Sequence, residues 1–180
     1  MRKLILTLVA LLTITQIVFA LPADDVLPLN NQDYFEVVHK AISGAKESIY
    51  IVMYEARYYR KYYSTPTNLL IEALADATQR GVKVIVILEQ SKDFGKANSD
   101  KNYETGEVLE NRGIKVYYDS LYTSTHNKLI VIDRYITIIG STNWSYYALS
   151  KNNESNVLIK SKQVAEEFIR YFNSLLEDCK

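Results

Sequence analysis

Apolar and polar positions follow two rhythms along this chain, one of period 3.6 and one of period two or unbroken. Asn31 to Ser43 is predicted helical, with Phe35, Val38 and Ile42 on one face and Gly44 ending it. Ser48 to Tyr54 reads as a strand. Asn68 to Arg80 reads as a helix with Leu70, Ala73, Leu74 and Ala77 inward, stopped by Gly81. Val82 to Leu88 is almost wholly apolar, as in a strand buried on both faces. A helix from Tyr103 to Asn111 ends at Gly113, and Ile114 to Tyr118 is the next strand. His126 to Ile132 and Tyr135 to Ile139 read as two strands of a hairpin, followed by a short turn or helix near Tyr146. Val157 to Lys160 is a strand and Gln163 to Leu176 a closing amphipathic helix. This alternation predicts an α/β fold, a mixed sheet with helices on both faces.

Before this pattern stands a different one. Arg2 and Lys3 precede an apolar run from Leu4 to about Leu12, then a weaker stretch to Val18-Phe19-Ala20. This is the layout of a secretory signal peptide, with cleavage expected after Ala20 and Ala23 as the second choice. Residues 21–30 are expected to be a short linker and 31–180 a single catalytic domain. The cleaved protein would be secreted or periplasmic, and an uncleaved leader would anchor it to a membrane. The chain has 180 residues, 48% of them hydrophobic, enough for one proper core. The lone Cys179 excludes an internal disulfide; it reads as an exposed thiol rather than a bridge between subunits. Without Arg2 and Lys3, 19 basic residues face 21 acidic ones. A net charge of −2 argues against a tight nucleic-acid binder, less against a catalyst with a local positive groove.

The chemistry concentrates between His126 and Asn143. His126, Lys128, Asp133, Gly140, Ser141 and Asn143 form the pattern H-x-K-x4-D-x6-G-S-x-N. On a strand, residues two apart share a face, so His126 and Lys128 project together. Asp133 has the opposite parity. It is expected to shape a turn at Asp133-Arg134 or bond a neighbouring loop, not to orient His126. A hairpin brings Ser141 and Asn143 back towards His126 and Lys128. An imidazole, an ammonium, a hydroxyl and an amide so gathered can attack and hold a phosphodiester without a metal. No H-x-H, D-x-D or C-x-x-C pairing offers a metal site, no glycine-rich phosphate loop occurs, and no cofactor is expected.

This pattern resembles the signature of the phospholipase D superfamily. Most members carry two copies; here there is one, since the other histidine lies in His39-Lys40-Ala41, and His39 reads as a polar surface residue. A single copy in a short chain is similar to the branch of small bacterial nucleases that work as homodimers. The resemblance covers most of the chain after residue 30, including Arg80-Gly81-Val82-Lys83-Val84 and Asn152-Asn153-Glu154-Ser155-Asn156. It implies His126 as nucleophile, and Glu154 as the acid that accepts a hydrogen bond from it. Lys128, Ser141 and Asn143 would hold the phosphate oxygens. A second acid is needed for the leaving oxygen, and a twofold-related His126 would supply it.

One segment stands apart: Glu55-Ala56-Arg57-Tyr58-Tyr59-Arg60-Lys61-Tyr62-Tyr63-Ser64. It opens at the sheet's carboxyl edge, where such folds bind ligands. One reading is a nucleic-acid lip, with Arg57, Arg60 and Lys61 on phosphates and Tyr58 and its neighbours on bases. Another is a membrane-interface lip, and a third a helix extension packed on the sheet or a second subunit. The lysines of Ser91 to Lys101 are expected in a solvated loop. The expected function is a non-specific nuclease acting on DNA, RNA or both. The alternatives are a phospholipase or transferase acting on phospholipid, and a non-catalytic binding member of the fold.

Overall fold

The computed structural model describes residues 20–91 and 96–179. The leader read from residues 1–20 lies, but for Ala20, outside them. The elements follow in the order β1 (Asp25–Asn30), α1 (Asp33–Gly44), β2 (Ser48–Met53), α2 (Pro66–Gln79), β3 (Lys83–Leu88) and α3 (Lys96–Glu110). Then come β4 (Lys115–Tyr118), β5 (Lys128–Ile132), β6 (Ile136–Gly140), α4 (Tyr146–Ser150), β7 (Ser155–Lys160) and α5 (Lys162–Asp178). The seven strands form one sheet in the order β1-β7-β6-β5-β2-β3-β4. β2, β3 and β4 run parallel; every other pairing is antiparallel. This is the α/β mixed sheet the sequence predicts.

Period-two alternation divides the core in two. Ile49, Ile51, Met53, Val84, Val86, Leu88, Ile130 and Ile132 face α1, α2, α3 and α4. Val52, Ile85, Ile87, Leu129 and Val131 face α5, which buries Ala165, Ile169 and Phe172 against them. In α2 the predicted inward set of Leu70, Ala73, Leu74 and Ala77 is buried. In α1 the buried residues are Tyr34, Val38 and Ile42, with Phe35 at the margin.

Three expectations are corrected. The linker of residues 21–30 contains β1, which pairs with β7 from Asp25 opposite Lys160 to Asn30 opposite Ser155. Only Leu29 of that strand is buried, so its sequence shows no alternation, and Pro28 is tolerated because β1 is an edge strand. The region around Lys96 to Lys101 is helical, not loop. Its pattern misleads because its inward residues are polar: Ser99, Asn102 and Thr105 are all buried. Finally, Cys179 is half-buried; its thiol donates to the Leu175 carbonyl at 3.2 Å, and burial pushes its pKa up to about 11.

Candidate active site

The central hairpin sets the site. β5 pairs antiparallel with β2, putting Lys128 opposite Met53, so the motif strand begins where the parallel strands end. The Tyr54 amide donates to the Asn127 carbonyl at 2.7 Å and extends that pairing to the residue next to His126. His126 and Lys128 do share a face: Lys128 Nζ lies 3.3 Å from Nδ1 and 3.2 Å from Nε2 of His126, and donates to the His126 carbonyl at 3.3 Å. Tyr54 forms the floor, its ring 4.3 Å from that of His126 and 4.7 Å from Lys128 Nζ. His126 is exposed and Lys128 is 5% exposed.

Burial, and secondly the ammonium of Lys128, push the His126 pKa below its ordinary value. Burial also lowers the Lys128 pKa, opposed by Glu154 and Glu55. The imidazole is thereby kept neutral and nucleophilic at neutral pH beside a cation able to hold an anion.

At the same open end of the hairpin, on β6, Gly140 lies opposite Asn156. A Cβ there would come within 2.5 Å of the Asn156 Cα and the Ser155 carbonyl oxygen, so only glycine lets β6 and β7 approach. The Asn156 amide then builds the turn. Its oxygen accepts from the Thr142 N–H at 3.1 Å, and its nitrogen donates to Thr142 Oγ1 at 2.8 Å. Ser141 donates to Glu154 Oε2 at 2.5 Å, while Asn152 donates to Oε1 at 3.0 Å. The carboxylate of Glu154 thus serves Ser141 and Asn152, not His126. Asn143 Oδ1 is buried without a partner.

Asp133 acts as its parity implies. It occupies the positive-φ hairpin turn with Arg134. Its carboxylate accepts from the amides of Lys46, Glu47 and Ser48 at 2.8–3.2 Å. It ties the hairpin to the start of β2, at the end of the sheet away from His126.

Several residues were not legible in the motif. Glu55 pairs with Arg57 and lends its field to Lys128; its only sequence signal is its place just after β2. The loop that carries both is held by polar residues of α3. Asn102 accepts from the Ala56 amide at 2.9 Å and donates to the carbonyls of Tyr54 and Glu89. Thr105 donates to the Ala56 carbonyl and accepts from the Tyr58 amide. Two buried acids, Glu89 and Asp119, bond the residues that lead into His126 along the chain, Ser124 and Thr125. Ser124 donates to Glu89 at 3.4 Å and the Gln90 amide to Asp119 at 2.7 Å. Burial raises both pKa values.

Of the expected lip, Arg60 and Lys61 are exposed and Arg57 borders a cleft with Tyr59, Tyr62, Tyr146 and Tyr147. Tyr58 is not part of it. It packs against the core with the Arg112 guanidinium 5.3 Å over its ring, because Thr105 pins its backbone inward. His39 sits beside Phe35 on α1, half-buried. Among the described residues, no three His, Cys, Asp or Glu side chains gather closely enough to hold a metal ion.

Comparison with known proteins agrees with this arrangement. The family model described as "Cardiolipin synthase, PLD-like domain" matches residues 38–176. A phospholipase D of Rickettsia typhi is 34% identical over 129 residues, covering 72% of this chain and 56% of that protein. A cardiolipin synthase of Listeria monocytogenes is 29% identical over 129 residues, covering 71% of this chain and 24% of that one. The chain thus spans little more than half the length of the Rickettsia relative. Among solved structures, the phospholipase D family member Nuc from Salmonella typhimurium superposes with a TM-score of 0.72 at 24% identity, over 87% of this chain and 96% of its own. NucT from Helicobacter pylori gives 0.67 at 22% identity, over 86% and 98%. At these identities the structural likeness speaks for the fold.

Proposed function

The chain belongs to the phospholipase D superfamily, and from that premise we propose that it is a metal-independent phosphodiesterase that cleaves nucleic acid through a phosphohistidine on His126. The observation that carries this reading is the His126 ring held 3.2 Å from the buried Nζ of Lys128. In the first step a ring nitrogen of His126 attacks phosphorus in line, the P–O bond to the leaving strand breaks, and that oxygen takes a proton from an acid. In the second, water attacks the phosphohistidine, gives up a proton to the same group, and releases the phosphate end and free imidazole. Lys128, Ser141 and Asn143 donate to the non-bridging oxygens as charge builds there. The exposed hydroxyl of Ser141 suits that task, and Asn143 is assigned to it through its side-chain N–H groups.

Glu154 is proposed to accept the N–H of the cationic ring. It now accepts from Ser141, so substrate would exchange the two bonds: the Ser141 hydroxyl turns to phosphate as Glu154 turns to His126. The acid is proposed to be His126 of a second copy, with the site at a twofold axis. Arg57, Arg60 and Lys61 suit a polyanionic substrate. Phospholipid is the second reading, favoured by the names of the curated relatives. Residues 1–20 are proposed to be a cleaved leader, making the protein secreted or periplasmic; intact-mass analysis showing a chain starting at Met1 would refute that.

Cleavage of plasmid and single-stranded RNA in excess EDTA, with His126→Ala as control, tests the whole. Activity that survives EDTA and vanishes in the variant is expected. Intact nucleic acid alongside hydrolysis of phospholipid vesicles would move the function to the second reading.

A further inference from the structure

The cleft between the loop after β2 and the start of α4 is lined by Arg57, Tyr59, Tyr62, Thr65, Tyr146 and Tyr147 and has a volume of about 390 Å³. That is in the range of sites for small ligands. It is tied to the motif segment through the backbone: the Arg57 amide donates to the Trp144 carbonyl and the Trp144 amide to that of Glu55, both at 2.9 Å. Asn143 and the cleft are therefore neighbours along one clamped segment.

The walls are built, not incidental. Asn68, 1% exposed, accepts from the Tyr59 amide and donates to the carbonyls of Tyr59 and Tyr62. Tyr59 Oη accepts from the Tyr146 amide at 3.0 Å, joining the two sides. Yet Tyr62 is 68% and Tyr147 67% exposed, so packing does not explain why they stand here. Preorganised π-faces offered to solvent beside a phosphodiester site match the chemistry of base stacking. Arg57 on the wall, paired with Glu55 through Nε, favours a ligand that carries phosphate over a quaternary ammonium headgroup. Within a duplex both faces of a base are covered by its stacked neighbours, so the occupant must be a base freed from the duplex stack, as in a single strand.

We infer that the Tyr62–Tyr147 cleft is a stacking subsite for an unpaired nucleobase next to the scissile phosphate, which makes single-stranded nucleic acid the preferred substrate. The inference rests on the nuclease reading. It is tested by comparing Tyr62→Ala and Tyr147→Ala with the unaltered protein on a single-stranded oligonucleotide, the same strand with abasic sites, bis(p-nitrophenyl) phosphate and phosphatidylcholine vesicles. Each variant is expected to lose about tenfold in kcat/KM on the oligonucleotide, the effect of one stacked base. Both should keep the small diester within about twofold, since neither ring touches the reacting phosphate. Tyr147→Trp should restore cutting, and abasic sites should slow the unaltered protein far more than Tyr147→Ala. Equal oligonucleotide cutting by all proteins would overturn the subsite while leaving the nuclease reading intact. So would an equal loss on the small diester, or a loss confined to phosphatidylcholine. An unaltered protein that cuts the small diester but no nucleic acid would remove both.

Discussion

At the residue scale, the pair of His126 and Lys128 governs pH dependence. A histidine held below its ordinary value of 6.5 stays neutral further into acid. The acidic limb of kcat/KM is therefore expected below pH 6.5, in the titration of the free nucleophile. Lys128→Gln removes a neighbouring cation, so the His126 ring should titrate at higher pH, even though activity falls. NMR of the two histidines, His39 serving as reference, reads this directly; an unmoved His126 would sink the argument. Glu89 gives the opposite kind of test. Its folded pKa is raised by burial and by Asp119. A raised carboxyl contributes its stability below the unfolded value and loses it as pH rises through the folded one. Glu89→Gln is thus expected to raise Tm at pH 8 and to bring little gain at pH 4. Its new amide can donate to Asn98 Oδ1, which is buried and unpartnered. Equal Tm shifts at both pH values would show that charge is not the cause.

At the scale of elements, period two made the shared face of His126 and Lys128 legible, and parity separated Asp133 from the chemistry. β1 and the first half of α3 were not legible, for physical reasons. β1 has a partner on one side only and buries one residue, so its sequence lacks the alternation that marks a strand. α3 packs by hydrogen bonds from Asn102 and Thr105, which a search for apolar periodicity passes over. Tyr58 was misplaced because adjacent tyrosines in a loop do not reveal which one a buried threonine will draw inward. Nor could sequence place Glu154 in the free protein, since the choice between Ser141 and His126 depends on side-chain geometry. Gly140 carries the sharpest structural expectation. Gly140→Ala forces β6 from β7 against backbone atoms, which should cost about 1–3 kcal/mol and displace Ser141 with the strand. Denaturant melts and activity measured together check this: wild-type stability with full activity would show that the strands can yield.

At the scale of the whole molecule, the one unmet chemical requirement is the second acid. If His126 of a second copy supplies it, sedimentation should give a dimer, and specific activity should fall on dilution through the dissociation range. Mixed dimers of native and His126→Ala chains should be nearly inactive. Full activity in a sedimenting monomer would break the twofold arrangement.

The place of β1 has a consequence for how the molecule comes into being. Among the described residues its sole partner strand is β7, and Lys160 bonds Asp25 across 135 positions of chain. Contacts that distant form only after large loops close. Glu154 and the strand that positions Ser141 also belong to this last part of the chain. A growing polypeptide therefore holds its nucleophile before it can use it, and becomes competent only once β7 has been made. For a catalyst whose proposed substrate fills the cell that makes it, that delay is protective. Chains cut short before Ser155 should accumulate without cleaving nucleic acid, and an active truncation would remove the safeguard.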